Sequence, residues 1–232
     1  TSGALSIRMR AGTRRAAASS RNAERCAWRR KVASTMAVLP VSRIVAAASR
    51  SQLRASSEIQ AIDPAESFVG TLRGYQREGL GWLTSLGRLG FGGCLADDMG
   101  LGKTVMVLAL LDHRRRQREV DGASARPSLV VAPRSVIFNW AQEAARFAPA
   151  LRVLDYSTAS RADRDDAIGD SDLVLTTYGT LRKDAPRLSG RQFDYLVLDE
   201  AQTIKNAATV TAKAARLLNA DHRLALSGTP IE

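Results

Sequence analysis

The sequence contains few of the residues on which several classes of protein depend. Its 232 residues include two cysteines, Cys26 and Cys94, and two histidines, His113 and His222. These residues are too few and too widely spaced for a disulfide framework or a four-ligand zinc site. The chain also has no uncharged apolar run near the roughly 18 residues that a membrane-spanning helix needs. The sequence therefore excludes an integral membrane protein and predicts a protein of a reducing compartment.

The positive charge is distributed unevenly along the chain. The whole sequence carries 34 basic and 23 acidic side chains, a formal net charge of +11. Residues 1–60 hold 12 of the basic side chains and two of the acidic ones, so that residues 61–232 keep 22 and 21 and are close to neutral. A basic chain attracts polyanions, but the net charge here does not by itself indicate a nucleic-acid-binding fold.

Residues 1–66 are predicted to form a basic, disordered tail or the remnant of an upstream region. They are rich in arginine, alanine and serine, and their short apolar stretches, such as Met36–Leu39, bury too little to form a core. A transit peptide would share this arginine-rich and acid-poor composition. A polyanion-binding arm and a misread frame of a GC-rich gene are further alternatives.

Residues 67–232 predict an α/β domain. Short apolar runs alternate with helical patterns, which is the rhythm of βαβ units. Continuous apolar strands are typical of a parallel sheet that is covered by helices on both faces. The predicted strands are Gly93–Ala96, Ser128–Ala132, Leu151–Leu154, Asp172–Thr176, Tyr195–Leu198 and Arg223–Leu226, and the predicted helices cover about residues 104–117, 136–147, 178–184 and 207–219.

A glycine-rich turn follows the first predicted strand and leads into a helical run. Its residues are Asp97, Asp98, Met99, Gly100, Leu101, Gly102, Lys103 and Thr104. A nucleoside triphosphate requires backbone N–H groups for its phosphates, a lysine such as Lys103 for the β and γ charge, and a hydroxyl such as that of Thr104 for Mg²⁺. The general phosphate-loop pattern has glycine where this chain has Asp97. A glycine turn that caps a buried helix is the alternative interpretation.

Two adjacent carboxylates, Asp199 and Glu200, follow the apolar run Tyr195–Leu198. The carboxyl ends of strands are where open α/β sheets bind their ligands. One acid can hold Mg²⁺ and its neighbour can orient the hydrolytic water, and Asp199 and Glu200 fit these roles respectively. The alternative is a pair of acids that complements the dipole of a following helix.

Six motifs occur in a fixed order over residues 68–232. They are Leu72–Leu80, Asp97–Thr104, Val131–Ser135, Thr176–Thr180, Asp199–Asn206 and Leu226–Pro230. In this order they resemble the motifs of SWI/SNF-type DNA translocases, a family within helicase superfamily two, whose phosphate loop also tolerates aspartate at the position of Asp97. The resemblance implies a RecA-like P-loop lobe that uses ATP and Mg²⁺.

The resemblance also implies roles for individual residues. Gln76 would read the adenine edge, with a plain surface position in a helix as the alternative. The implied catalytic residues are Lys103, Asp199 and Glu200. The element that couples nucleotide state to lobe movement would comprise Ser227, Gly228 and Thr229, and Gly228 stands where strand-separating helicases more often carry alanine. The implied contacts to the DNA backbone are Pro133, Arg134, Ser135, Thr176, Thr177 and Tyr178.

Some of these residues have ordinary structural interpretations. Ser135 and Thr177 would serve equally well as caps of the helices that follow them. The run Arg114–Arg118 ends a helix, and a solvated face explains it better than a DNA site. Trp82 and Trp140 lie among apolar residues at helical spacing and are predicted to be core residues.

The resemblance therefore implies a lobe of an ATP-dependent translocase that moves on double-stranded DNA. The resemblance implies a second RecA-like lobe after Glu232, so we expect the isolated lobe to bind ATP but to hydrolyse it poorly. Arginines outnumber lysines by 29 to 5, which favours a GC-rich bacterial genome. A bacterial protein would act in the cytoplasm on DNA-bound complexes such as RNA polymerase, and a eukaryotic one would be nuclear. The alternatives are an RNA or DNA helicase of the same superfamily and a non-catalytic nucleic-acid-binding module.

Overall fold

The computed structural model describes residues 60–96, 100–124, 126–159 and 164–228. The predicted site residues Asp97, Asp98, Met99 and Thr229 lie outside the described residues, as do residues 1–59. The helices are α1 (Gly74–Arg88), α2 (Lys103–Val120), α3 (Arg134–Phe147), α4 (Arg164–Gly169), α5 (Tyr178–Leu188) and α6 (Val210–Leu217). The strands are β1 (Gly93–Ala96), β2 (Ser128–Ala132), β3 (Val153–Asp155), β4 (Leu173–Thr177), β5 (Gln192–Leu198) and β6 (Asn219–Ser227), and a 3₁₀ helix covers Ala201–Ile204.

The strands form one sheet in the order β1-β6-β5-β2-β4-β3. Every neighbouring pair of strands in the described residues is parallel. The six strands coincide with the six apolar runs of the sequence, with shifted ends. The predicted parallel α/β sheet is therefore confirmed.

The sheet has an apolar core on each face, because side chains alternate between the two faces along a strand. All five residues of β2 are buried. Val130 and Ala132 belong to the core beneath α1, α2 and α3, whereas Leu129 and Val131 belong to the core beneath α4, α5 and α6. The prediction of helices on both faces is confirmed. Within the described ranges, no helix has both the length and the apolar composition to span a bilayer.

Helix α1 carries the first motif but is not predicted by its helix propensity. It contains four glycines, each about 1 kcal/mol less favourable in a helix than alanine. Burial compensates, since Leu80 and Leu83 are fully buried against the core. One of the glycines is also required by packing, because a Cβ at Gly81 would lie 1.9 Å from the carbonyl oxygen of Gln60.

Residues 60–66, which the sequence assigns to the tail, pack against α1. The Ile62 N–H donates to the carbonyl oxygen of Arg77 at 3.1 Å, and the Ile62 side chain packs against the core. Arg77 also lies 3.2 Å from the carboxylate of Asp63. The folded lobe therefore extends at least to residue 60, and composition misses this because the contacts of Ile62 are made with a distant helix.

Helix α6 is shorter and strand β6 is longer than the sequence predicts. The helix begins at Val210 because the Thr209 hydroxyl accepts a hydrogen bond from its first turn. At its other end the Arg223 guanidinium donates to the carbonyl oxygens of Ala215 (3.1 Å) and Leu218. Arg223 thus binds unpaired carbonyls at the helix terminus from a position inside the strand.

The arginines of α2 hold the helix to the sheet. Arg114 and Arg118 lie 2.7 and 2.6 Å from the carboxylate of Asp194, whose side chain is 2% exposed at the start of β5. Arg116, by contrast, is 56% exposed. The predicted solvated face therefore applies to Arg116 but is wrong for Arg114 and Arg118, whose partner lies about 80 residues away in sequence.

Candidate functional site

Three neighbouring strands bring the predicted motifs to one edge of the sheet. Strands β1, β6 and β5 are adjacent, and Ala96 at the end of β1 is opposite Ser227 at the end of β6. Asp199 directly follows β5. Because the strands are parallel, their carboxyl ends meet at the same edge, where open α/β sheets bind ligands. The structure therefore places the turn Gly100–Lys103, the carboxylate pair and Ser227 around one region.

The turn between β1 and α2 uses backbone conformations that favour glycine. The φ angle is 86° at Gly100 and 76° at Gly102. Gly102 also has no room for a side chain, because a Cβ there would lie 2.5 Å from Nε2 of Gln76. Lys103 is the first residue of α2. The N-terminus of this helix concentrates backbone N–H groups and a positive dipole end, which together suit a phosphate.

Two side chains of α1 support this turn from behind. The Tyr75 hydroxyl and the Gln76 amide both donate to the carbonyl oxygen of Leu101, at 3.1 and 3.4 Å. The Gln76 Oε1 accepts from the Arg73 N–H at 2.9 Å, and the residue is 8% exposed. Gln76 is therefore a buried residue that contacts the turn, which removes the alternative of a plain surface position. Its adenine contact stays a prediction.

Asp199 is held at every polar atom by the surrounding fold. Its Oδ2 accepts from the indole N–H of Trp140 at 2.8 Å, and its Oδ1 accepts from the Glu200 N–H at 2.9 Å. Its backbone N–H donates to the carbonyl oxygen of Val131 at 2.8 Å. Its own carbonyl oxygen accepts from the Tyr178 hydroxyl at 2.7 Å. The position and the rotamer of this carboxylate are thus fixed without a ligand.

The electrostatic surroundings of Asp199 act in opposite directions. Burial raises the pKa of its carboxyl, and the hydrogen bonds from Trp140 and from the Glu200 N–H lower it. The negative charge of Glu200 raises the pKa of Asp199, while the positive charge of Lys103 lowers it, and the balance leaves the pKa above its ordinary value. The charge of Lys103 therefore reaches Asp199, although the two residues are 96 positions apart in the sequence.

Glu200 occupies an unusual backbone conformation. Its φ is 50°, the only positive φ of a non-glycine residue in the described part of the chain. Such strain persists where the surroundings enforce it and is concentrated at functional sites. The Glu200 carboxylate accepts from the Gln202 amide, and the Ser227 hydroxyl donates to the Oε1 of Gln202 at 3.2 Å. Gln202 therefore connects the candidate catalytic carboxylate to the predicted coupling element, in which Gly228 follows directly.

The first loop predicted to contact DNA is largely exposed. Arg134 and Ser135 are exposed at the start of α3, and Pro133 is half-buried at the position before the helix. No side-chain cap is formed there, because proline occupies the capping position. The capping interpretation therefore does not hold for Ser135, and its DNA contact stays a prediction.

The second predicted loop offers less surface. Thr176 is fully buried in β4, and Tyr178 is 8% exposed with its hydroxyl bonded to Asp199. The Thr177 hydroxyl accepts from the Thr180 N–H at 3.0 Å and caps α5. The side chains of Thr176, Thr177 and Tyr178 are thus buried or already hydrogen-bonded. A DNA contact by this loop would have to be made by its backbone or by the half-buried Thr177.

Two residues of the site are missed by the sequence interpretation. Trp140 is predicted as a core residue, which its 1% exposure confirms, but its bond to Asp199 is not predicted. Because a buried indole N–H usually has a polar partner, the sequence could have indicated that Trp140 makes such a bond. It could not have indicated that the partner is Asp199. Gln202 belongs to a recognised motif, yet nothing in the spacing indicates its contact with Ser227.

The residues present fit a nucleoside triphosphate with Mg²⁺. The Thr104 hydroxyl at the start of α2 and the Asp199 carboxylate are oxygen donors of the kind that Mg²⁺ prefers. Over the described ranges, no group of three or more histidine, cysteine, aspartate or glutamate side chains could hold a metal ion by itself. Mg²⁺ in nucleotide sites commonly binds one or two carboxylates together with phosphate oxygens, and the Asp199 carboxylate fits that pattern.

Comparison with known proteins agrees with this geometry. A family model described as the SNF2-related domain matches residues 75–232. The Bacillus subtilis protein YwqA, named as a candidate ATP-dependent helicase/translocase, is 45% identical over 169 residues. The chromatin-remodeling ATPase INO80 of Arabidopsis thaliana is 39% identical over 180 residues. Among solved structures, the Sulfolobus solfataricus SWI2/SNF2 ATPase core in complex with dsDNA is 42% identical, with a TM-score of 0.66.

The chain corresponds to a small part of these proteins. The alignments cover 72% of this chain but 18% of YwqA and 12% of INO80. The alignment with the Sulfolobus solfataricus structure covers 74% of this chain and 35% of that chain. The likeness therefore concerns one lobe of larger proteins.

Proposed function

This chain belongs to the SNF2-related family, and from that premise we propose that it binds ATP with Mg²⁺ as one lobe of a DNA-dependent ATPase. One observation carries the proposal. Lys103 begins the helix that follows β1, Asp199 follows β5 two strands away in the same parallel sheet, and the charge of Lys103 acts on Asp199 to lower the pKa of its carboxyl. A cation at a helix N-terminus beside a fixed carboxylate is the arrangement that phosphoryl transfer needs.

Each residue of the site has a distinct part in the proposed chemistry. Lys103 and the first N–H groups of α2 bind the β and γ phosphates, and Thr104 and Asp199 hold the metal ion directly or through water. Bound Mg²⁺ neutralises the charge that develops on the phosphates. Glu200 orients the attacking water and accepts its proton. Gln202 joins Glu200 to Ser227 by hydrogen bonds, and we expect the contact of Ser227 to respond through them to a change at the γ phosphate.

The proposed polymer substrate is double-stranded DNA. The Sulfolobus solfataricus ATPase core was solved in complex with dsDNA, and YwqA is named as a helicase/translocase. The exposed Arg134 and Ser135 at the start of α3 are donors that suit backbone phosphates and carry no sequence information. Because the charge of residues 61–232 nearly balances, DNA affinity depends on such placed donors rather than on a general positive field. Movement along the duplex without strand separation is the activity we propose.

The direct test of the ATP site is nucleotide binding by the chain. Isothermal titration calorimetry with ATP and Mg²⁺ should give saturable binding that Lys103→Ala weakens at least tenfold, since a charged contact to phosphate is lost. Lys213→Ala, an exposed lysine of α6, is the matched control and should bind as the unmodified chain does. Equal affinities of the two variants, or no binding by the unmodified chain, would overturn the proposal.

We further propose that these 232 residues by themselves hydrolyse ATP slowly. The relatives are several times longer, and an arginine finger from elsewhere in such a protein raises phosphoryl transfer by about 10³- to 10⁵-fold. Rapid DNA-stimulated turnover by this chain alone contradicts this proposal. Opening of short duplexes by the full-length protein would favour a strand-separating helicase instead. Action on complexes such as DNA-bound RNA polymerase and a cytoplasmic location stay predictions.

A further inference from the structure

The indole of Trp140 is bonded to the carboxylate that the proposed function assigns to Mg²⁺. Trp140 lies in α3, is 1% exposed, and donates from Nε1 to Oδ2 of Asp199 at 2.8 Å. The other carboxylate oxygen accepts from the Glu200 N–H at 2.9 Å. An ionised carboxylate has about four acceptor sites. The two bonds therefore fill two of these sites, fix the plane of the carboxylate, and leave an acceptor site on each oxygen.

We infer that Trp140 is a positioning residue for the candidate magnesium carboxylate, holding Asp199 in the rotamer that binds the metal ion or its water. The inference rests on the proposed function, because it gives Asp199 a ligand to hold. Phenylalanine would fill most of the same volume but has no N–H group. Without that donor the Asp199 side chain keeps one bond, to its own neighbour in sequence, and its χ torsions regain freedom. Loss of an outer-shell hydrogen-bond partner typically lowers metal affinity by about 10- to 100-fold.

The bond also connects Asp199 to a predicted DNA contact. Trp140 is in the helix that begins with the exposed Arg134 and Ser135. Tyr178, from the second predicted DNA loop, donates from its hydroxyl to the Asp199 carbonyl oxygen at 2.7 Å. Asp199 is therefore bonded to one residue of the second predicted DNA loop and to one residue of the helix that follows the first loop.

The test compares Trp140→Phe with Trp82→Phe, a tryptophan of α1 that packs partly buried against the core. The affinity of a fluorescent ATP analogue is measured by anisotropy over a Mg²⁺ titration and again in EDTA. For Trp140→Phe we expect the Mg²⁺ concentration at half-maximal effect to rise about tenfold, with an unchanged affinity in EDTA. For Trp82→Phe we expect neither quantity to change. A residue with only a packing role would lower both affinities together or neither.

A double-variant cycle identifies the route of the effect. In an Asp199→Ala background, Trp140→Phe should produce no further change in the Mg²⁺ dependence, since its bonding partner is already gone. A full additional loss in that background, or an unchanged Mg²⁺ dependence of Trp140→Phe alone, would overturn the inference. Circular dichroism establishes that each variant is folded. If Trp140→Phe unfolds, replacement of Trp140 by 3-benzothienylalanine, which keeps the shape of the indole but has no N–H group, must show the Mg²⁺-specific loss.

The same experiment separates this inference from the proposed function. If the unmodified chain does not bind the nucleotide, the proposed function fails and the inference falls with it. If the chain binds the nucleotide with a Mg²⁺ dependence that Asp199→Ala weakens and Trp140→Phe leaves intact, the proposed function stands and only the inference is overturned.

Discussion

Gly102 offers the sharpest test of how the phosphate-binding turn is built. Its φ is 76°, and a Cβ at this position would lie 2.5 Å from Nε2 of Gln76. Gly100 has a similar φ of 86°, but a Cβ there meets nothing within 4 Å. The two positions share the backbone strain that alanine would introduce and differ in the contact with Gln76. Gly100→Ala is therefore a matched control for Gly102→Ala.

The expected losses of folding free energy follow from the backbone strain and from the contact with Gln76. An alanine in the left-handed region costs about 1–2 kcal/mol of folding free energy, which is the loss we expect for Gly100→Ala. At Gly102 the methyl group must also displace a buried amide that is bonded to the Arg73 N–H and the Leu101 carbonyl oxygen. Leaving such buried groups without partners costs about 1–3 kcal/mol more. We therefore expect Gly102→Ala to lose about 2–5 kcal/mol in total, more than Gly100→Ala.

Urea unfolding followed by circular dichroism measures these losses, and ATP titration reports the effect on the site. The difference between the two variants should vanish when Gln76 is replaced by alanine, because the obstacle to the added methyl group is then absent. Equal losses for Gly100→Ala and Gly102→Ala in the unmodified background would refute the reasoning. So would an excess loss for Gly102→Ala that persists in the Gln76→Ala background.

Three smaller perturbations test other contacts of the fold. Burial raises the pKa of Asp172, but the hydrogen bonds and charge of Arg152 outweigh it and hold that pKa below its ordinary value. Arg152→Ala should therefore lower the free energy of unfolding near neutral pH, by less than about 1 kcal/mol because the arginine is mostly exposed. In urea titrations the difference between the variant and the unmodified chain should disappear as the pH falls through the folded-state pKa of Asp172. Burial lowers the pKa of His222 and so favours the neutral ring in the folded state. Stability should therefore fall as the pH drops below the ordinary histidine pKa. In thermal melts, His222→Phe should reduce this dependence of the melting temperature on pH. Thr177→Ala should cost about 1 kcal/mol by removing the cap of α5, whereas Ser135→Ala, which removes no cap, should change the urea midpoint little.

The sequence predicts the parts of this protein that depend on local pattern and on motif order. Apolar runs bounded by turns predict the six strands, and Gly-Lys-Thr after a strand predicts a helix from about residue 104, which in the structure begins at Lys103. Parallel pairing then requires that the segments after β1 and β5 meet at one edge. For this reason the proximity of Lys103 and Asp199 follows from the fold class, before any side-chain contact is known.

The contacts that the sequence does not predict join residues far apart in the chain. Trp140 and Asp199 are 59 positions apart, and Arg114 and Asp194 are 80 apart. Each pair reflects the packing of a helix on a strand, and spacing within one element carries no information about it. The left-handed conformation of Glu200 is missed for another reason, since the intrinsic preference of glutamate opposes it and the surroundings enforce it.

The most direct test of the central claim is steady-state ATP hydrolysis by the full-length protein, with and without duplex DNA. We expect DNA to stimulate hydrolysis, and we expect Glu200→Gln to lower the stimulated rate by about 10²- to 10⁴-fold while ATP binding is retained. Asn206→Ala, an exposed residue of the same motif, serves as the matched control and should keep most of the rate. Hydrolysis that is indifferent to DNA, or that survives Glu200→Gln, would contradict the account.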